Sequence, residues 1–365
     1  MPVETTVAPR IAAAVSSGRV RTADGGRVWL HESAEAPEGV AGTFRLDGDA
    51  CVFHLPRDGR AVPAAPGTHH CAVHAAMGHE ALPASCRHFP RVCLIDNRGV
   101  RVSLSHYCPT AATMLFQHQG PLEIVSGPPA LSGLTMPEGL DVRHGLPPRL
   151  TQSVLMDLEA VTAWERVVVG TLAGPDAPAG TPAEALARLR AYAERLVQWS
   201  PGETSLTMLI DGLRASDATL AGGGGTIASA EPGSDGGPYR LERQRRAMRV
   251  VTQACREPWT WPATPANVDA LDRAFVAPQW PAAGPVVRRY LAAKAFGAWA
   301  TYQADAARGL VRWLQLSHDV LRVEAARACG DASRALDGDL LFIAVRQADL
   351  LLAHYADSLL VAQAL

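Results

Sequence analysis

The stretch RVCLIDNRGVRVSLSHYCPTAATMLFQ, residues 91–117, changes character halfway along. Arg91–Ile95 and Val100–Ser105 are apolar, β-branched runs, and Asp96-Asn97-Arg98-Gly99 between them favours a turn, so the pattern predicts a β-hairpin. From Cys108 the reading becomes helical. Pro109 suits a first helical position, where a missing N–H costs nothing, and Ala111–Phe116 continues the helix. A strand pair that hands over directly to a helix sets the expectation for the whole chain. Upstream should lie small hairpins and short helices, and downstream long helices: an α+β fold, mostly α, with a small cysteine-rich domain ahead of a larger helical one.

Working upstream, Arg27–His31 reads as a strand. Thr43–Leu46 and Cys51–Leu55 flank Asp47-Gly48-Asp49 as a second hairpin, and a short helix is expected near 71–80 after a Pro/Gly-rich loop at 62–67. Working downstream, Pro128, Pro129, Pro137, Pro147 and Pro148 mark 126–149 as a linker between a domain at 1–125 and a helical domain at 150–365. Within the latter, Val154, Leu158, Val161 and Val168 keep helical spacing. Thr181-Pro182-Ala183-Glu184 is a capping box, and Ser200-Pro201-Gly202-Glu203 repeats the signal for the next helix. Leu310, Trp313, Leu314, Ser317 and Leu321 form another stripe; Leu341, Val345, Leu352 and Leu359 form the last. Residues 221–237, rich in Gly, Ser and Ala, read as a flexible surface loop.

At 365 residues the chain has enough length for two domains, and neither needs metal merely to fold. A net charge of −2 offers no global attraction to nucleic acid or to anionic membranes. Of 34 basic residues only Lys294 is lysine, a bias we assign to coding composition. There is no basic, apolar leader and no membrane-length apolar run, so a soluble cytoplasmic protein is expected. In that compartment thiols stay reduced, and clustered cysteines are metal-binding or catalytic more often than disulfide-bonded.

Such a cluster exists. Five of seven cysteines and eight of twelve histidines fall between Cys51 and His118. Thiolates and imidazoles hold zinc, and thiolates hold iron–sulfur clusters. Cys51 opens a strand after a tight turn. Cys71 precedes His74 by one helical turn. Cys86 is bracketed by Pro83 and Pro90, with Arg87, His88 and Arg91 supplying positive charge that should favour thiolate. Cys108 stands at a helix N-cap. Cys93, mid-strand between Val92 and Leu94, reads as a core residue, and Cys255 and Cys329 as helical packing residues. His74, His88 and His106 are second-rank ligands or donors to sulfur, whereas His69, His79 and His118 read as solvated. No CxxC pair is present, which excludes zinc ribbons and thioredoxin-like sites; the bland alternative to a metal site is a set of inert buried cysteines. Gly222–Gly225 lacks the preceding strand and following helix of a nucleotide loop, and Tyr239–Arg246 reads as a solvated helix start.

The ordered set Ala50-Cys51-Val52-Phe53, Cys71-Ala72-Val73-His74, Leu82-Pro83-Ala84-Ser85-Cys86-Arg87-His88-Phe89-Pro90-Arg91 and Ser103–Pro109 resembles the bacterial YkgJ-type cysteine-cluster proteins, above all their flagellin lysine-N-methylase-like branch. The likeness covers roughly residues 45–115, and Arg289–Phe296 is only loosely similar. It implies that Cys51, Cys71, Cys86 and Cys108 hold zinc or an iron–sulfur cluster. It also implies an S-adenosylmethionine-dependent protein methylase acting on a protein substrate. The family's further CxxxxxCC group is missing, because no cysteine precedes Cys51, and an N-terminally truncated site is one expectation that follows. Two other functions fit the same residues: a non-catalytic, zinc-stabilised module beside a helical partner-binding domain, and an electron-transfer cluster protein.

Overall fold

The computed structural model describes residues 2–32, 36, 38–47, 50–56, 69–127, 139–202, 204–213, 238–256 and 260–365. The fold is α+β and mostly α, with its small sheets towards the N-terminus. It divides into two units, residues up to Phe89 and residues from Pro90 onward.

In the first unit, strands β1 (Pro2–Glu4), β2 (Leu30–His31) and β3 (Val40–Phe44) form an antiparallel sheet in the order β1-β3-β2. Gly42 is required in β3, because a Cβ there would meet the His31 carbonyl oxygen at 2.2 Å. Helix α1 (Ala8–Ser16) turns Ile11 and Ala14 into the core. The Trp29, Phe44 and Phe53 rings pack on one another with centroids 5.4 to 6.0 Å apart. Such edge and tilted contacts add to the area buried. This aromatic knot explains a departure from the expected hairpin. Thr43 and Phe44 are drawn into the three-stranded sheet, leaving only β4 (Leu46–Asp47) to pair with β5 (Ala50–Cys51). The next pair is β6 (His54–Pro56) with β7 (His69–Cys71), followed by α2 (Ala72–Met77), a 3-10 turn at His79–Ala81, and α3 (Ala84–His88).

The second unit opens with the hairpin read from sequence. Strand β8 (Arg91–Asp96) pairs with β9 (Gly99–Leu104) from Arg91↔Leu104 to Asp96↔Gly99, and α4 (Pro109–Gln117) follows with Cys108 as its N-cap. A third strand, β10 (Gly139–Asp141), runs parallel to β8, so the stretch expected as linker contributes to the sheet; residues 128–138 lie outside the described residues. The division between units therefore falls at 89/90 and not at 126–149. The cause is visible in the hydrogen bonds. The Trp299 indole donates to the Cys93 carbonyl (3.1 Å), Arg98 reaches Glu165 (2.8 Å), and Arg289 donates to the Leu115 carbonyl (2.6 Å), so hairpin and α4 are held by the helices.

Those helices are α5 (Leu158–Ala173), α6 (Pro182–Leu196), α7 (206–213), α8 (Pro238–Gln253), α9 (Val268–Leu271), α10 (Trp280–Ala295), α11 (Ala300–Gln303), α12 (Arg308–Ala332), α13 (Gly338–Leu350) and α14 (Ser358–Ala364). The capping box at Thr181 and Glu184 forms as read. The signal at Ser200 does not: the Ser205 hydroxyl instead receives the Met208 N–H, and α7 starts there. The last stripe is also broken. A π-helical turn at Leu351–Tyr355 ends α13, Ala356 is extended, and Asp357 caps a separate α14, so Leu359 belongs to a new helix.

Helix α12 packs against α6, α8, α10 and α13 and is buried on nearly every side. Its charged residues are consequently paired: Asp319 with Arg243, Arg322 with Asp272, Glu324 with Arg327 and the Trp261 indole. In the basic run of α8, Arg240 and Arg243 are packed and paired, while Tyr239, Glu242, Arg245 and Arg246 are exposed, so the run is solvated on one side only. The loop expected at 221–237, with Gly222–Gly225, lies outside the described residues. Among the described residues no helix is long and apolar enough to cross a membrane.

Candidate functional site

Three of the four first-rank cysteines belong to the first unit. Cys51 ends β5, Cys71 ends β7 and is the N-cap of α2, and Cys86 is central in α3. All three are half-buried and pack against the same hydrophobic cluster, built on Val52, Phe53, Val73 and Leu82. The local folding follows from the residues between them. Val52 and Phe53 point into the core, so the chain leaves β5 with Cys51 at the cluster's edge. The Phe53 carbonyl then accepts the Ala72 N–H (2.8 Å), while His54 pairs with Cys71, which holds the second thiol beside the first. Helix α3 is tied to β1: the Ala84 N–H donates to Glu4 Oε1 (2.7 Å) and the Ser85 hydroxyl to the Pro2 carbonyl (2.9 Å).

The three sulfurs are near enough to act on one another electrostatically. Burial pushes the Cys86 thiol up to about 12, and the charges that Cys51 and Cys71 would carry push it further the same way. Burial also raises Cys51, with Cys71 adding to it and the Phe53 amide opposing it. The sequence expectation that Arg87, His88 and Arg91 make Cys86 a thiolate is thus overturned. Arg87 spends its charge on Glu80 (3.5 Å), and burial outweighs what remains. Among the described residues, no group of three or more His, Cys, Asp or Glu side chains is arranged to hold a metal ion.

Of the second-rank histidines, His74 is exposed and meets His79 edge-on (6.1 Å between centroids), and His88 is buried at the end of α3. Cys108 and His106 belong to the second unit, where they adjoin a polar cluster that sequence reasoning missed.

That cluster is centred on Asp349, wholly buried on α13. One carboxylate oxygen receives the His106 backbone N–H (2.5 Å); the other receives Lys294 Nζ (2.5 Å) and the Tyr290 hydroxyl (3.3 Å). The His106 ring stacks edge-on against Tyr290, and the Tyr290 and Trp313 rings stand 6.0 and 5.9 Å from the ammonium. Ser105 Oγ lies 2.8 Å from His354 Nε2, and Arg346 donates to the Tyr107 carbonyl (3.0 Å). Burial raises the cost of charging Asp349, but Lys294 and His106 reverse this and hold its carboxyl below the usual range. Burial drives His106 down to about 4 and lowers His354. Both imidazoles are thus held towards the neutral form beside the Lys294–Asp349 ion pair. Together these contacts anchor residues 105–107, the approach to the Cys108 N-cap, to α10 and α13. The signal that could have revealed this cluster was Lys294 itself, the chain's single lysine, set in the otherwise apolar run Tyr290–Phe296. No protein-family model, curated protein or solved structure matches the chain.

Proposed function

We propose that the N-terminal unit binds a thiophilic metal, zinc or an iron–sulfur cluster, through Cys51, Cys71 and Cys86, and that the protein works as a cytoplasmic metal-binding protein. The observation that carries this reading is that three thiols, from β5, β7 and α3, pack against one hydrophobic cluster and lie near enough to act on one another electrostatically. The donor chemistry fits. Sulfur-only sets select zinc and iron–sulfur clusters over harder cations. Burial holds the Cys51 and Cys86 thiols towards the neutral form, so a bound cation would have to displace their protons. A zinc ion would cross-link three otherwise short elements; a cluster would add one-electron chemistry.

Cys108, which the sequence resemblance groups with these three, lies in the second unit and is not needed for the argument. The proposal concerns metal binding and not the methyl transfer that the resemblance implies, because what supports it is a set of sulfurs. Metal analysis of protein purified without oxygen tests it. Bound zinc, or iron with acid-labile sulfide, is expected. Cys86→Ser should lower the metal content to background, whereas Cys93→Ser should leave it unchanged. Metal-free protein with all seven thiols titratable would refute the reading.

A further inference from the structure

A cavity lies within the helical unit, lined by residues other than the cysteines. Its volume is about 870 Å3, within the range of roughly 300–1,000 Å3 typical of small-molecule sites. Its walls are the end of α5, the segment leading to α6, and the first turns of α6 and α10.

The charge of this cleft is one-sided. Arg240, Arg288, Arg289 and Arg322 line it, and no aspartate or glutamate does. Behind the wall, Arg240 and Arg322 share the single carboxylate of Asp272, each at 2.7 Å. Arg288 donates only to backbone carbonyls, those of Thr171, Leu172, Pro178 and Gly180, at 2.6 to 3.0 Å. Those bonds fix the plane of its guanidinium, with the Glu184 carboxylate near enough to act on its charge. Arg289 gives Nε to the Leu115 carbonyl and makes no ion pair among the described residues. Among the described lining residues, arginine is thus the only charged type. Burial lowers the pKa of both Arg288 and Arg289; for Arg288 the Arg188 charge adds to the shift and Glu184 opposes it. The α6 and α10 N-termini add partial positive charge on the same side.

A second, independent feature concerns Trp280. Its side chain is buried, lines the cleft and lies over Arg322 (5.0 Å), and its indole N–H has no hydrogen-bond partner among the described residues. Buried donors are normally satisfied, so this one points to a missing acceptor. Around it the surface is apolar, formed by Leu172, Pro175, Pro281 and Pro285.

We infer that this cleft binds a small organic anion, with a phosphate-like head held by Arg289 beside the fixed charge of Arg288 and an apolar body laid along Trp280 and the prolines.

Calorimetric titration of the full-length protein with ATP, tripolyphosphate and adenosine tests this. ATP and tripolyphosphate are expected to bind, more weakly as salt rises, and adenosine is not. Arg289→Ala should weaken ATP binding at least about tenfold, the scale of one charge-assisted contact. Arg246→Ala, which removes an arginine that does not line this cleft, should not change it. If Arg289→Ala fails to fold, Arg289→Lys keeps the charge but loses the planar fork, and should bind with intermediate affinity. Absence of binding by both anions at millimolar concentration, binding of adenosine as tight as that of ATP, or equal losses in the Arg289 and Arg246 variants would each overturn the inference.

Discussion

Lys294 Nζ lies 2.5 Å from Asp349 Oδ1, with the lysine side chain one-tenth exposed and the aspartate fully buried. Removing the cation alone strands a carboxylate in the core, which typically costs about 3–5 kcal/mol, whereas replacing both partners by apolar groups is often neutral. Lys294→Met should therefore destabilise the helical unit by about that amount in urea unfolding. Lys294→Met with Asp349→Leu should recover most of the loss. A double variant as unstable as the two single losses summed would show that the pair is not coupled.

His106 predicts a pH dependence. Burial is the main cause of its depressed pKa; Asp349 opposes the shift, and Lys294 adds to it. Unfolded, the imidazole takes a proton near its ordinary 6.5; folded, it does so only near 4. Between those values the unfolded state binds more protons, so stability falls as pH is lowered through that window and is intact above it. The contribution at stake is about 3 kcal/mol. His106→Gln should flatten the stability profile between pH 4 and 6.5 in denaturant titrations. A slope unchanged by the substitution would assign it to other groups.

Metal removal should act on the first unit alone. A chelator is expected to lower the unfolding temperature of the unit built on Trp29, Phe44 and Phe53 while leaving the helical transition in place, because a ligand stabilises only the state that binds it. Hydrogen–deuterium exchange, read peptide by peptide in each unit, separates the two. Equal shifts in both, or in neither, would contradict a thiol site confined to Cys51, Cys71 and Cys86.

Gly139 tests the third strand. A Cβ at this position would meet the Cys93 carbonyl oxygen at 2.1 Å and the Cys93 Cβ at 2.8 Å, and the middle strand has no room to retreat. Gly139→Ala should cost about 2 kcal/mol or more, as overpacking does. Gly145→Ala, whose nearest neighbour would stand 3.4 Å away, should be close to neutral in the same melts.

Much of the architecture was legible because it is local. The hairpin at 91–104, the Cys108–Pro109 helix start and the Thr181 capping box depend on residues within a few positions of one another, and all three form. What misled was non-local. Phe44 abandons the expected hairpin because its ring finds Trp29 and Phe53, and Gly139–Asp141 becomes a strand only because β8 offers a free edge. The candidate site shows the same division. Local context around Cys86 promised positive charge, yet burial and two remote thiols govern it. Asp349 and Lys294 sit 55 positions apart on helices whose pairing no periodicity announces.

The division at Phe89 and Pro90 carries an evolutionary consequence. Each hydrophobic cluster lies wholly on one side of it. Recombination at that point would transmit two intact cores, whereas a crossover near residue 125 would strand a hairpin and a helix from the partners that hold them. A crossover between Phe89 and Pro90 would split the cysteine-rich stretch, sending Cys51, Cys71 and Cys86 with the small sheets and Cys108 with the helices.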